Sequence, residues 1–120
     1  MNNKRRKEIR NICSTIETET QKGNLNRDKI ENLILDFENC IDEERDSLDN
    51  YPESLQETDQ WEEYDENCDE LSDIVSDLND ALDNDDDKDV VEELLSALEN
   101  VEIYIWFFIW KECLNDTRKN

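Results

Sequence analysis

The residues predict an all-α protein, a small bundle of about four helices with antiparallel, heptad-type packing. Three observations carry the prediction. One Gly and one Pro among 120 residues leave almost nothing with which to build tight β-turns. Apolar side chains recur at steps of three and four over most of the chain, the period of a helix with one buried face. The third is size: at 14.4 kDa, with 40% charged and 35% apolar residues, the chain has room for one modest core. Residues 1–120 therefore read as a single helical domain. A mean hydropathy of −1.02 leans towards disorder. The regular spacing of the aromatic and aliphatic residues argues against it.

The first helix is expected near 4–20, where Ile9, Ile12, Cys13 and Ile16 follow the i, i+3, i+4, i+7 pattern, and Gly23 offers a left-handed C-terminal cap. The second is expected near 27–48. Asn26 is placed to cap it, Asp28 lies in its first turn, and Ile30, Leu33, Ile34, Phe37, Cys40, Ile41 and Leu48 form its stripe. Asp49 to Gln56 reads as a connection holding one short helical turn, with Pro52 suited to its first position. The third helix, near 59–83, has Thr58 or Asp59 as its cap, and Asp59 with Glu62 has capping-box spacing. Its seam, Trp61, Tyr64, Cys68, Leu71, Val75, Leu78 and Leu82, is an unbroken heptad series. The run Asp83 to Asp87 breaks that helix by like-charge crowding and offers a cap for the fourth, expected near 88–115. The fourth passes through Val91, Leu94, Leu95, Leu98, Val101, Ile105, Phe108 and Glu112.

Around Ile103, Tyr104, Ile105, Trp106, Phe107, Phe108, Ile109 and Trp110 the fourth helix is apolar on every side. A helix apolar all round must be covered all round, and a domain this small covers one face. Ile103, Ile105, Trp106, Phe107, Phe108, Ile109 and Trp110 are therefore the expected interface of a homodimer. A buried strand is the competing reading of this octet, but no second strand is in sight to pair with it. Eight apolar residues fall short of the ~18 that a membrane span requires. MNNKRRKEIR has no apolar stretch behind its basic residues, so no secretory signal and no membrane are expected, and the location expected is the cytoplasm. Cys13, Cys40, Cys68 and Cys113 lie far apart, with no histidine to complete a zinc site. They read as reduced core thiols.

Charge is the feature that bears on function. Residues 41–100 hold twenty-five Asp and Glu against Arg45 and Lys88, within a whole-chain charge of −22. Self-repulsion of that size works against compaction, so either solubility or a basic partner has to account for it. Glu62, Glu66, Asp69, Asp73, Asp77 and Asp80 step by three and four along the third helix, away from its seam. Carboxylates then recur about every 4.5–6 Å along the axis. A DNA strand carries one phosphate per ~3.4 Å of axis, with a longer path between successive phosphates. A basic groove built for nucleic acid could accept either. Asp42, Glu43 and Glu44 are expected beside the stripe. A solvated helix face is the plain alternative, since most charge runs are no more than that.

The stretch Ile41-Asp42-Glu43-Glu44-Arg45 through Leu48-Asp49-Asn50-Tyr51-Pro52-Glu53-Ser54-Leu55-Gln56 resembles small acidic helical proteins of phages and mobile elements of Gram-positive bacteria. Lys4-Arg5-Arg6-Lys7 matches their basic start, and Leu78-Asn79-Asp80-Ala81-Leu82-Asp83 the end of their second amphipathic helix. The resemblance covers about residues 1 to 83 and departs at Gly23 and in the aromatic fourth helix. It implies a phage-like setting and no activity. Phage genomes encode inhibitors of restriction enzymes and CRISPR effectors, so setting and charge lead to one expectation. That expectation is an anti-defence inhibitor, anti-CRISPR-like and DNA-mimicking, which occupies the basic groove of a Cas-type protein or restriction nuclease. The alternative is an oligomeric scaffold acting through its aromatic C-terminal helix.

Other chemistries are weaker. Asp83, Asp85, Asp87 and Asp89 occupy positions one, three, five and seven of a calcium loop, but Lys88 replaces its glycine and Leu94 its bidentate Glu. Glu63 with Glu66, and Glu70 with Asp73, have the i, i+3 spacing of magnesium-dependent nucleotide pyrophosphatases, without basic residues nearby to hold a phosphate. With no histidine to act as base, no catalytic residue, metal or cofactor is expected. The first thirty residues run the other way, eight Lys and Arg against four acids. They are expected to pair with acids of the same protein or its twin rather than to bind nucleic acid directly.

Overall fold

The computed structural model describes residues 3–101, and among them every regular element is a helix. They are α1 (Asn3–Thr20), α2 (Arg27–Asp49), α3 (Glu53–Gln56), α4 (Asp59–Leu82) and α5, residues 87–101. The protein is an all-α bundle in which α3 is the single expected turn between longer helices. The part of the fourth long helix expected beyond residue 101, with the whole aromatic octet 103–110 and its proposed interface, lies outside the described residues.

Capping explains most of the boundaries. Asn26 opens α2 with its side-chain oxygen accepting the Lys29 N–H at 3.1 Å. Thr58, rather than Asp59, opens α4, its hydroxyl oxygen accepting the Trp61 N–H at 3.3 Å. Pro52 stands just outside α3 as its cap, its carbonyl accepting the Leu55 N–H at 2.8 Å. Asp86 starts α5, its carboxylate accepting the Lys88 N–H at 3.0 Å. Gly23 departs from expectation. Its φ is not positive, and α1 has already ended at Thr20, with Gln21 and Lys22 donating to the carbonyls of Thr18 and Glu19. No left-handed residue is needed where the last turn tightens in this way.

Helix α2 is the centre of the bundle and packs against both α1 and α4. Both pairings are antiparallel. Arg5 at the start of α1 reaches Glu44 near the end of α2, while Lys29 at the start of α2 reaches Glu19 at the end of α1. Arg45 likewise meets Asp69, and Arg27 meets the last turn of α4. One apolar cluster joins the four long helices: Ile9 and Ile16; Ile30, Ile34, Phe37 and Ile41; Leu71, Val75 and Leu78; Val90, Leu94 and Leu98. Phe37 is the largest side chain fully buried in it. The heptad seam of α4 is thereby realised, with Cys68, Leu71, Val75 and Leu78 buried and Trp61, Tyr64 and Leu82 packed at its ends. The Trp61 indole N–H donates to the Leu48 carbonyl at 2.9 Å and pins the start of α4 to the end of α2.

Candidate protein-interaction face

At about 100° per residue, Glu62, Glu66, Asp69, Asp73, Asp77 and Asp80 fall within one sector of α4, opposite the sector that holds Cys68, Leu71, Val75 and Leu78. Burial of the seam therefore forces the carboxylates outward, and all six are exposed. From Glu62 to Asp80 the row runs ~27 Å at a helical rise of ~1.5 Å. Asp69 is the member with a cationic partner. The Arg45 guanidinium donates to it at 2.8 Å and to the Ser72 hydroxyl at 3.2 Å, with Asp65 3.9 Å away. That hydrogen bond to Asp69 holds the Arg45 pKa above its ordinary value, so the charge is permanent. Among the described residues, Glu62, Glu66, Asp73, Asp77 and Asp80 have no ion-pair partner.

The three acids expected beside this row divide. Asp42 is exposed, as anticipated. Glu43 is exposed too, but lies 3.7 Å from Nε of Arg5 on α1. Glu44 does not belong to the surface at all. Its side chain is 5% exposed and accepts from Arg5 Nη1 at 2.8 Å. The same guanidinium donates to Ser47 Oγ at 3.1 Å. Glu43 and Arg45 project about 160° apart around α2. Arg45 faces α4, so Glu43 faces α1 and away from the stripe.

The basic residues near the N-terminus are largely engaged inside the chain. Arg5 pairs with Glu43 and Glu44, and Lys22 and Lys29 both bond Glu19, at 2.8 and 2.7 Å. Those two ammonium groups hold the buried Glu19 carboxyl below the usual carboxylate range, chiefly through their hydrogen bonds. Arg27 spans four acceptors at the α4–α5 corner: Leu82 O at 3.0 Å, Asn84 O at 2.6 Å, Asp85 O at 3.3 Å and Asp87 Oδ1 at 2.7 Å. The calcium-loop spacing of Asp83, Asp85, Asp87 and Asp89 thus coincides with a corner already occupied by a guanidinium. Among the described residues no three Cys, Asp or Glu side chains converge on a metal position.

No disulfide joins Cys13, Cys40 or Cys68 among the described residues, and Cys113 lies outside them. Burial pushes Cys40 and Cys68 up to about 11, with Glu8, 3.6 Å from the Cys40 sulfur, adding to the first. Neither is a thiolate at neutral pH, so neither serves as a nucleophile there. A cavity of about 390 Å³ between α1 and α2 passes over Cys40 and is rimmed by Glu8, Asp36 and Glu43, which makes it anionic as well. No helix among the described residues is long and apolar enough to cross a membrane. No known protein family, curated protein or solved structure matches the chain.

Proposed function

We propose that this chain is a non-enzymatic, phage-type inhibitor whose α4 face occupies the basic groove of a nucleic-acid-binding host defence protein, a CRISPR effector or a restriction nuclease. The observation that carries this reading is the row of five exposed carboxylates on α4 with no cationic partner among the described residues. The basic residues of α1, α2 and the α1–α2 connection gather Glu19, Glu43, Glu44 and Asp87 into pairs, while along this row Arg45 alone intervenes, at Asp69. A rigid row of ~27 Å spans the axial rise of about eight nucleotides of a duplex strand. Helix packing fixes the backbone that carries the carboxylates, so only side-chain freedom is lost on binding. Asp42, on the neighbouring helix, extends the anionic surface. The resemblance of residues 1 to 83 to acidic helical phage proteins supports the setting. The homodimer expected through residues 103–110 belongs to the same proposal, and would present two such rows.

The test is capture from bacterial lysate on the immobilised chain at low salt, followed by elution with rising salt. A nuclease or Cas-type protein released by salt is expected from the wild type. It should be missing from the Asp73→Lys, Asp77→Lys, Asp80→Lys triple variant, whose circular dichroism stays helical. Recovery of no basic nucleic-acid binder, or equal recovery by the folded triple variant, would sink the proposal.

A further inference from the structure

We infer that the acidic face of α4 selects arginine over lysine in its partner, through carboxylate–hydroxyl seats of a kind that Arg45 already fills. The inference rests on the partner-binding reading of this face and names the chemistry that the partner brings to it. Arg45 supplies the observation. Its Nη2 donates to Oδ1 of Asp69 at 2.8 Å and to the Ser72 hydroxyl at 3.2 Å, while Nη1 lies 3.9 Å from Asp65. One guanidinium from α2 thus rests on Asp65, Asp69 and Ser72 of α4.

The same residue types recur four positions on, as Asp69, Asp73 and Ser76. Four residues advance a helix by ~6 Å and carry it ~40° past a full circle. The second seat therefore repeats the backbone spacing of the first, one turn along and rotated away from α2. Burial follows that rotation: Asp65 and Ser72 are half-buried beside α2, whereas Asp73 and Ser76 are exposed. Among the described residues no cation pairs with Asp73. Asp69 serves both seats, since Arg45 takes its Oδ1 and a carboxylate has a second oxygen to offer. A third step gives Asp73, Asp77 and Asp80, with a carboxylate where the hydroxyl stood. Two open seats about 6 Å apart thus continue the line that begins at Arg45.

A guanidinium suits such a seat better than an ammonium. Its planar fork holds several N–H donors in fixed directions, so two of its nitrogens reach three acceptors at once, as Arg45 does. It is also more weakly hydrated, and gives up less to water on contact. A lysine meets the same carboxylates as a compact point charge and gains little from the hydroxyl.

The experiment is calorimetric titration of the full chain with hexa-arginine and with hexalysine, two peptides of equal length and charge, at low salt. Wild type is compared with Ser76→Ala, Asp73→Asn and, as a control on the exposed face of α5, Ser96→Ala. Wild type is expected to bind hexa-arginine more tightly than hexalysine. Ser76→Ala removes no charge, so it should weaken hexa-arginine about threefold and leave hexalysine unchanged. Asp73→Asn should weaken both, hexa-arginine more, and Ser96→Ala neither. A face that acts by charge alone would show no effect of Ser76→Ala, or the same effect on both peptides, and either result overturns the inference. So does failure of hexa-arginine to bind. The outcome separates from that of the lysate capture. A Ser76-dependent preference for arginine, with no nucleic-acid binder recovered, keeps the seats and removes the anti-defence reading. A salt-released nuclease, with Ser76→Ala neutral towards hexa-arginine, does the reverse.

Discussion

Arg5 and Glu44 form an ion pair on the α1–α2 side in which the Glu44 carboxyl has almost no access to water. Removing one partner of such a pair leaves the other charge buried, which costs more than the pair itself contributes. Arg5→Ala is expected to lower stability by ~3 kcal/mol, read from the urea midpoint, and Arg5→Ala/Glu44→Leu should recover a large part of the loss. The burial of Glu44 was legible after all. Phe37, Ile41 and Leu48 leave one step of the seam unfilled, and Glu44 fills it. The same signal marks Glu19, three residues beyond Ile16, and Asn67, four before Leu71, both of them buried. Reading acids as exposed by type hid what the period already said. Glu19 also carries a pH dependence. Its carboxyl is held below the ordinary value, so its stabilisation is complete above about pH 4.5 and is lost as pH falls through the lowered folded value. Glu19→Gln should therefore be less stable than wild type at about pH 7, with the gap narrowing as pH falls below about 4.5, by urea unfolding across the series.

At the scale of helices, caps and seams were readable because each depends on a few neighbouring residues. Asn26 and the α4 heptad are examples. Ends that the backbone closes by itself, whatever residue type follows, were harder. Gly23 suggested a left-handed cap by residue type, yet α1 closes on its own backbone three residues earlier. A Cβ at Gly23 would meet nothing within 4 Å, and the backbone is not in the left-handed region. Gly23→Ala should thus raise stability by about 0.4–1 kcal/mol through a less flexible unfolded chain, a small upward shift measurable by thermal melting. On α4, the outward position of the carboxylates followed from the seam alone. Their relation to α2 did not, since which edge of α2 faces α4 and which faces α1 emerges only from packing. That is why Glu43, which meets Arg5 of α1, lies across α2 from Arg45, which meets Asp69 of α4.

For the whole molecule, a charge of −22 means that the folded state works against its own field. Salt screens that repulsion over a Debye length of ~10 Å at 0.1 M and ~3 Å at 1 M. Melting temperature should therefore rise between about 10 mM and 500 mM sodium chloride, even as the few surface ion pairs weaken. Affinity for a basic partner should fall over the same range, because its attraction is screened too. A scanning calorimeter and a binding assay in shared buffers would see opposite slopes. A protein whose acids served a cationic metal core or a buried network would not behave so. The central position of α2 has a kinetic consequence as well. It pairs antiparallel with the helix that precedes it and the next long helix that follows, so chain neighbours become spatial neighbours. Contacts that local favour rapid folding, in the microsecond-to-millisecond regime of helical bundles. As the chain leaves the ribosome, α1 and α2 can form a hairpin before the most acidic segment emerges. The repulsive half of the sequence then has a template waiting, rather than having to collapse against itself.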